Sequence, residues 1–253
     1  MNKNAGQRMS VKSALRTLQI LEVFAGAGRP MSLGEVARGI DAPRSSCLAL
    51  LTTLSERGYV YRVGEPPGWY PTRRWADLSR AVSEHDPVAL HVHAALERLR
   101  DACGETAIDA MLAGGRSVYV DVVESHEMVR YTARAGDSKP LHLSASGRAQ
   151  LAALDDDACR AVVAALPSAG VPGEARLNRR ALLETVARDR ARGWSVNLGE
   201  FRPDVISVAA GFALGGTAHS LSIAAPWHRI EARVDAIGRL LLDEARALAD
   251  TVG

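Results

Sequence analysis

Two short stretches of this chain carry side chains that could act chemically on a partner. The first is Arg44-Ser45-Ser46, at the start of a helical run. A guanidinium can grip a guanine edge through two hydrogen bonds, and a serine hydroxyl can give or accept one. The second is His142-Leu143-Ser144-Ala145-Ser146-Gly147-Arg148, which ends a loop and opens another helix. Free backbone N–H groups and the helix dipole favour an anion at such a place, and a carboxylate is the natural guest.

Neither stretch reads as a catalytic centre. Ser144-Ala145-Ser146-Gly147 lacks the upstream glycine of a nucleophile elbow. His91 and His93, two apart on an expected helix, face different ways and make a poor metal pair. Asp155-Asp156-Asp157 suits a helix N-terminus better than a magnesium site. Gly114-Gly115 and Gly215-Gly216 are hairpin turns without the lysine of a phosphate-binding loop. Cys47, Cys103 and Cys159 are scattered, with neither zinc spacing nor a disulfide framework. The expectation is a protein that binds, with no catalytic residue, metal or cofactor.

The elements around the first stretch have readable signals. Val11 to Ala25 is an amphipathic helix, with Leu15, Leu18, Ile20 or Leu21, and Phe24 as its apolar members. Ser32 and Glu35 fit a capping box ahead of Leu33, Val36, Ala37 and Ile40. Gly39 and Asp41 permit a turn, and Pro43 suits the first position of the next helix. That helix buries Cys47, Leu50, Leu51 and Leu54 and ends at Gly58. Tyr59 to Val63 and Trp69-Tyr70 then form two strands about a Gly/Pro turn. Two helices, a tight turn and a strand pair make a winged helix-turn-helix.

The second stretch lies in a longer region of mixed elements. Thr72 to Glu84 reads as a connecting helix, and His85-Asp86-Pro87 as the boundary before a helix that runs to Ala102. Thr106 to Leu112 and Ser117 to Val123 form a hairpin, with Met128 to Ala133 as a third strand. Helices follow from Ser146 to Leu154, from Asp155 to Leu166 and, after a Pro/Gly-rich loop, from Asn178 to Arg192. Trp194 to Asn197, Val205 to Leu214 and Ala218 to Ala224 are strands, and Pro226 opens a C-terminal helix. The whole is an α+β fold with an antiparallel sheet.

Charge divides at the same place. Residues 1–80 hold 12 Lys and Arg against 6 Asp and Glu, while the remainder holds 19 against 23. A basic end that coincides with a helix-turn-helix pattern points to DNA. The polar N-terminus has no signal-peptide core and no apolar run reaches membrane-spanning length, so a cytoplasmic protein without a membrane partner is expected.

The order of these pieces resembles the IclR family of bacterial transcription regulators. The resemblance runs from Ser13 to about Ala249 and rests on several short motifs. They are Ser13-Ala-Leu-Arg16 with Ile20-Leu21, Leu50-Leu-Thr-Thr-Leu54 with Gly58-Tyr-Val60, Pro140-Leu-His142 with Gly147-Arg-Ala149 and Leu151, Arg192-Gly193-Trp194, and Ser222-Ile223 with Pro226 and Arg229. It implies a winged helix-turn-helix domain at 9–72, a linker helix at 73–86 and a GAF-like effector-binding domain at 87–253. It also implies a homodimer or a dimer of dimers on an approximately palindromic double-stranded DNA, a repressor or an activator responding to a small molecule. A relative that keeps the winged helix without binding DNA is the alternative.

On this reading Arg44, Ser45 and Ser46 meet base edges, while Thr52, Lys12, Arg16, Arg62 and Arg73 meet phosphates. Ala49 stands where many members have Arg, and Asp41-Ala42 where Gly-Leu is usual, so base reading concentrates on the first helical turn. The effector contacts implied are Ala145 and Ser146, Asn197 at an acidic position of the family, Ser207 at a cysteine position, and Ser222 and Ala224 at positions often serine. His142, Leu143, Trp194 and Phe201 are expected to complete the site. Loss of an acid at Asn197 and of a hydroxyl at Ala224 suits a carboxylic acid, or a related polar-headed compound, with an apolar or aromatic body.

Overall fold

Ser32 does at its helix start what its spacing to Glu35 predicts. Its hydroxyl accepts from the Glu35 N–H at 3.3 Å, and its own N–H donates to Glu35 Oε2 at 2.8 Å. This comes from a computed structural model that describes residues 11–83, 86–167 and 176–252. Glu84, His85 and the Pro/Gly-rich loop after the 155–166 helix, on which parts of the expected pattern fall, lie outside the described residues. The chain divides into two units, Met1–Asp86 and Pro87–Gly253.

The first unit holds α1 (Lys12–Ala27), α2 (Leu33–Gly39), α3 (Arg44–Glu56), the strand pair β1 (Val60–Val63) and β2 (Gly68–Pro71), and α4 (Arg74–Ser83). Its core gathers Ile20, Phe24, Val36, Ile40, Cys47, Leu51, Leu54 and Trp69. Only the C-terminal half of α1 reaches that core. Leu15 is 49% and Leu18 58% exposed, which corrects their expected burial. Pro43 caps α3 from one place before its first residue, and Leu50 is only half-buried. Asp41 takes a left-handed φ of 45°, a backbone conformation that favours glycine. Trp75 Nε1 donates to the Tyr59 carbonyl at 2.9 Å and so ties α4 to the wing.

The second unit is built on a six-stranded antiparallel sheet. Its elements are α5 (Pro87–Cys103), β3 (Thr106–Ala113), β4 (Arg116–Val123), β5 (Ser138–Pro140), a 3-10 turn (Leu141–Leu143), α6 (Ala145–Ala153), α7 (Asp156–Ala165), α8 (Arg179–Arg192), β6 (Ser195–Leu198), β7 (Val205–Leu214), β8 (Thr217–Pro226), the single turn α9 (Trp227–Ile230) and α10 (Val234–Val252). The strand order is β5-β4-β3-β8-β7-β6. Helices α5 and α10 bury one face of the sheet, over Ala107, Ile206, Val208, Leu221 and Ile223. Helix α6 lies on the other face, with Ala145 and Ala149 against Ala209.

Two glycines let α6 sit that close. A Cβ on Gly211 would stand 2.1 Å from the Ala149 carbonyl oxygen, and one on Gly147 would stand 2.5 Å from Leu141 Cα. The expected third strand at 128–133 does not form. The edge of β4 at Arg116–Val118 is taken instead by β5, with Ser117 opposite Lys139. Met128 is accordingly 96% exposed.

Candidate functional sites

On α3 the buried stripe determines what is left to face outward. Cys47, Leu51 and Leu54 are core, and Arg44, Ser45, Leu48, Ala49 and Thr52 are exposed, with Ser46 half-buried. The outward face therefore carries the predicted Arg44, Ser45 and Thr52, and in addition Leu48, which is 44% exposed. Its signal was available, since Leu48 falls outside the helical spacing of the buried residues. An apolar side chain among polar ones on such a face can meet a thymine methyl. The Arg44 guanidinium lies back over Gly34 of α2, where a Cβ would be 3.8 Å from it. Arg62 stacks on the Trp69 ring at 5.4 Å, Arg73 stands 3.9 Å from Asp77, and Lys12 is exposed while Arg16 is half-buried.

In the second unit a partly open cavity lies beside α6. Strand parity sets its floor. Ser207 on β7 pairs with Ala224 on β8, and Ala209 with Ser222, so Ser207, Ser222 and Ala224 share the face that α6 covers. Leu143, Ser144 and Ser146 form one wall, and Phe201 and Arg202, from the loop after β6, another. Tyr119, Tyr131 and Lys139 complete it and were not singled out in the sequence. Lys139 Nζ lies 5.2 Å from the Phe201 ring centre and 5.5 Å from that of Tyr119, a cation held between two aromatic faces. Burial, and then the neighbouring Tyr131, push the Tyr119 phenol pKa up, so it stays neutral.

Asn197 borders the cavity, but its amide is largely committed elsewhere. Nδ2 donates to the Leu143 carbonyl, and Oδ1 accepts from the N–H groups of Gly199 and Glu200, both at 3.1 Å. It braces the 3-10 turn against the loop that carries Phe201. Arg148, nearly fully buried, braces the same parts. It donates to the carbonyls of Val196 and His142 and lies 3.3 Å from Glu200 and 3.5 Å from Asp189. Burial raises the Asp189 pKa, against the lowering effect of Ser195 and of the arginines around it.

Three expected residues do not line the cavity. Ala145 is packed between α6 and β7. His142 faces a separate depression with Asn178, Thr185 and Glu200, because neighbours on a 3-10 turn point in different directions. Trp194 packs toward α10, where a Cβ on Gly238 would stand 2.4 Å from its indole. The two-residue period of a strand puts Trp194 and Val196 on the α10 side and Ser195 and Asn197 on the other.

Comparison with known proteins decides the family. Residues 13–64 match the IclR helix-turn-helix domain, and residues 80–250 match the bacterial transcriptional regulator IclR C-terminal domain. The chain belongs to the IclR family. It is 32% identical over 197 residues to the Probable transcriptional regulator SauR of Cupriavidus necator, covering 78% of each chain. It is 26% identical to the Acetate operon repressor of Salmonella typhimurium, covering 96% of this chain and 90% of that one. In fold it is similar to an IclR homolog from Microbacterium hydrocarbonoxydans crystallised with 4-hydroxybenzoate, with a TM-score of 0.72, 19% identity, and coverage of 94% of this chain and 98% of that one. The IclR-family chain is thus a transcriptional regulator, not an enzyme, with a DNA-binding unit and an effector-binding unit. No helix among the described residues is long and apolar enough to cross a membrane.

Proposed function

We propose that this regulator is a cytoplasmic repressor whose hold on its operator is released by a small organic acid with an aromatic or apolar body. The carrying observation is the cavity itself. It sets Lys139 and Arg202 beside the hydroxyls of Ser146, Ser207 and Ser222 and the rings of Tyr119 and Phe201. Cations and hydroxyls suit a carboxylate, and the rings suit the body behind it. The 4-hydroxybenzoate held by the Microbacterium homolog has both features. Leu143, Ser146, Ser207 and Ser222 are proposed as effector contacts, with Asn197 as their brace.

On DNA, a homodimer or a dimer of dimers places two α3 helices in successive major grooves of an approximate palindrome. Arg44, Ser45, Ser46 and Leu48 read bases, and Thr52, Lys12, Arg16, Arg62 and Arg73 hold phosphates. Helix α4, Arg74–Ser83, lies on the path from reader to sensor. The acid acts by binding one arrangement of the linked subunits better than another, since without differential affinity it could shift nothing.

A gel shift on DNA from upstream of its own gene tests both halves. Salt-sensitive, sequence-selective binding is expected, and Arg44→Ala should weaken it by about 1–3 kcal/mol. Benzoate, 4-hydroxybenzoate, pyruvate and glyoxylate are then added, with thermal stability followed in parallel. Stabilisation by the two keto acids alone would refute the aromatic-acid reading.

A further inference from the structure

Behind the wall that carries Ser146 lies a buried polar chain. Gln150, one turn further along α6, is fully buried. Its Nε2 lies 3.0 Å from Ser117 Oγ on β4 and 3.2 Å from Ser220 Oγ on β8. Ser117 Oγ in turn lies 3.0 Å from Ser146 Oγ. Ser146 lines the cavity, while Gln150 and Ser117 stand behind it.

The direction of this chain follows from what each group can give. In the orientation seen, both N–H bonds of the Gln150 amide are used, and Oε1 is buried without a partner. Turning the amide over would satisfy the oxygen twice and strand both N–H groups. Two unmade buried donors cost more than one unmade acceptor, so the amide donates. Ser117 therefore accepts from Gln150 and gives its own proton to Ser146. Ser146 accepts that bond and donates to no other described residue, which leaves its proton for the cavity.

We infer that Gln150 is a positioning residue which, through Ser117, sets Ser146 as a hydrogen-bond donor to the effector. The cavity then selects at this point a group that can only accept, the oxygen of an ionised carboxylate. This rests on the cavity being the effector site. Neither Gln150 nor Ser117 touches the ligand, and their effect is on which ligand is preferred.

Exchanging Gln150→Met keeps the volume and removes the donor that sets the chain's direction. A thioether offers Ser117 no proton, so the Ser117 oxygen is left open and Ser146 turns its proton to it. Calorimetric titration of the full chain with 4-hydroxybenzoate and with 4-hydroxybenzyl alcohol reads the result. The alcohol can offer Ser146 either a proton or a lone pair and is expected to change little. The acid is expected to lose about tenfold in affinity, which lowers the acid-to-alcohol preference by the same factor. Ser117→Ala, which is milder on the fold, is expected to lower that preference by about threefold. Equal weakening of both ligands, or no change in either, overturns the inference. A separate observation needs no ligand. In the NMR spectrum of the free chain, the Gln150 side-chain amide protons are expected to exchange slowly and to show cross-peaks to the β-protons of Ser117 and Ser220. Rapid exchange without those cross-peaks overturns the polarity of the chain. If wild type binds neither ligand, the aromatic-acid reading of the cavity fails, and the amide protons alone decide the relay.

Discussion

The outward face of α3 and the cavity beside α6 are built in opposite ways. On α3 the outward side chains are neighbours in sequence, and they are what the core leaves over. Cys47, Leu51 and Leu54 go inward, so Arg44, Ser45, Leu48 and Thr52 must go outward. The cavity has no such economy. Ser207, Ser222, Tyr119, Ser146 and Phe201 come from five separate segments, and they meet only because the sheet is paired in one register. A site on one helix can be changed without disturbing the fold. A site assembled from many segments depends on every contact that holds those segments together.

The largest expected effect tests that dependence directly. Gly211→Ala would put a Cβ 2.1 Å from the Ala149 carbonyl, on backbone that cannot rotate away. Overpacking of this kind costs about 3 kcal/mol, toward the upper end for an added methyl. Calorimetry is expected to show the transition of the second unit moved down while that of the first stays put. A common shift of both transitions would mean that the two units do not fold as independently as their separate cores imply.

Asn197→Asp comes next and bears on the cavity alone. The Asn197 amide donates to the Leu143 carbonyl. An aspartate would keep the bonds from Gly199 and Glu200 and set an oxygen against that carbonyl. Loss of a buried donor with an acceptor left unmade costs about 1–3 kcal/mol. A lower melting temperature of the second unit is expected, together with weaker binding of 4-hydroxybenzoate and unchanged operator binding in the gel shift without ligand. Unchanged acid binding would show that the brace does not shape the cavity.

The same contrast explains what could be read before the fold was known. Capping at Ser32, the turn at Asp41 and the stripe of α3 are local events, and local spacing reveals them. Leu15 and Leu18 obey the same helical spacing as Ile20 and Phe24, yet spacing cannot say how far along α1 the core extends. In the cavity Ser207 and Ser222 were legible through the family resemblance, whereas Lys139 was not. Nothing around Lys139 in sequence announces that β5 will set it between Phe201 and Tyr119. Trp194 misled for a simple reason: it stands one residue from Ser195, and one residue changes the face of a strand.

The smallest expected effect sets one carboxyl of each unit against the other. The Glu35 carboxylate accepts from Arg29 at 2.8 Å and from the Ser32 N–H, which lowers its pKa from 4.5 to about 2. A depressed acid contributes stability that is complete above its ordinary pKa and is lost as pH falls toward the depressed one. The capping box of α2 therefore weakens from about pH 4.5 downward. Asp189 has the opposite sign. Burial raises its pKa above 3.8, so the folded state takes up its proton before the unfolded state does. Its contribution therefore grows more favourable as pH falls through that raised value. Melting each unit from pH 6 to pH 3 is expected to show opposite changes of slope in the two variants. Glu35→Gln flattens the acid-side loss of the first unit, and Asp189→Asn removes a compensating gain from the second. Slopes that change together in both units would mean that net charge, rather than these two environments, governs the acid behaviour.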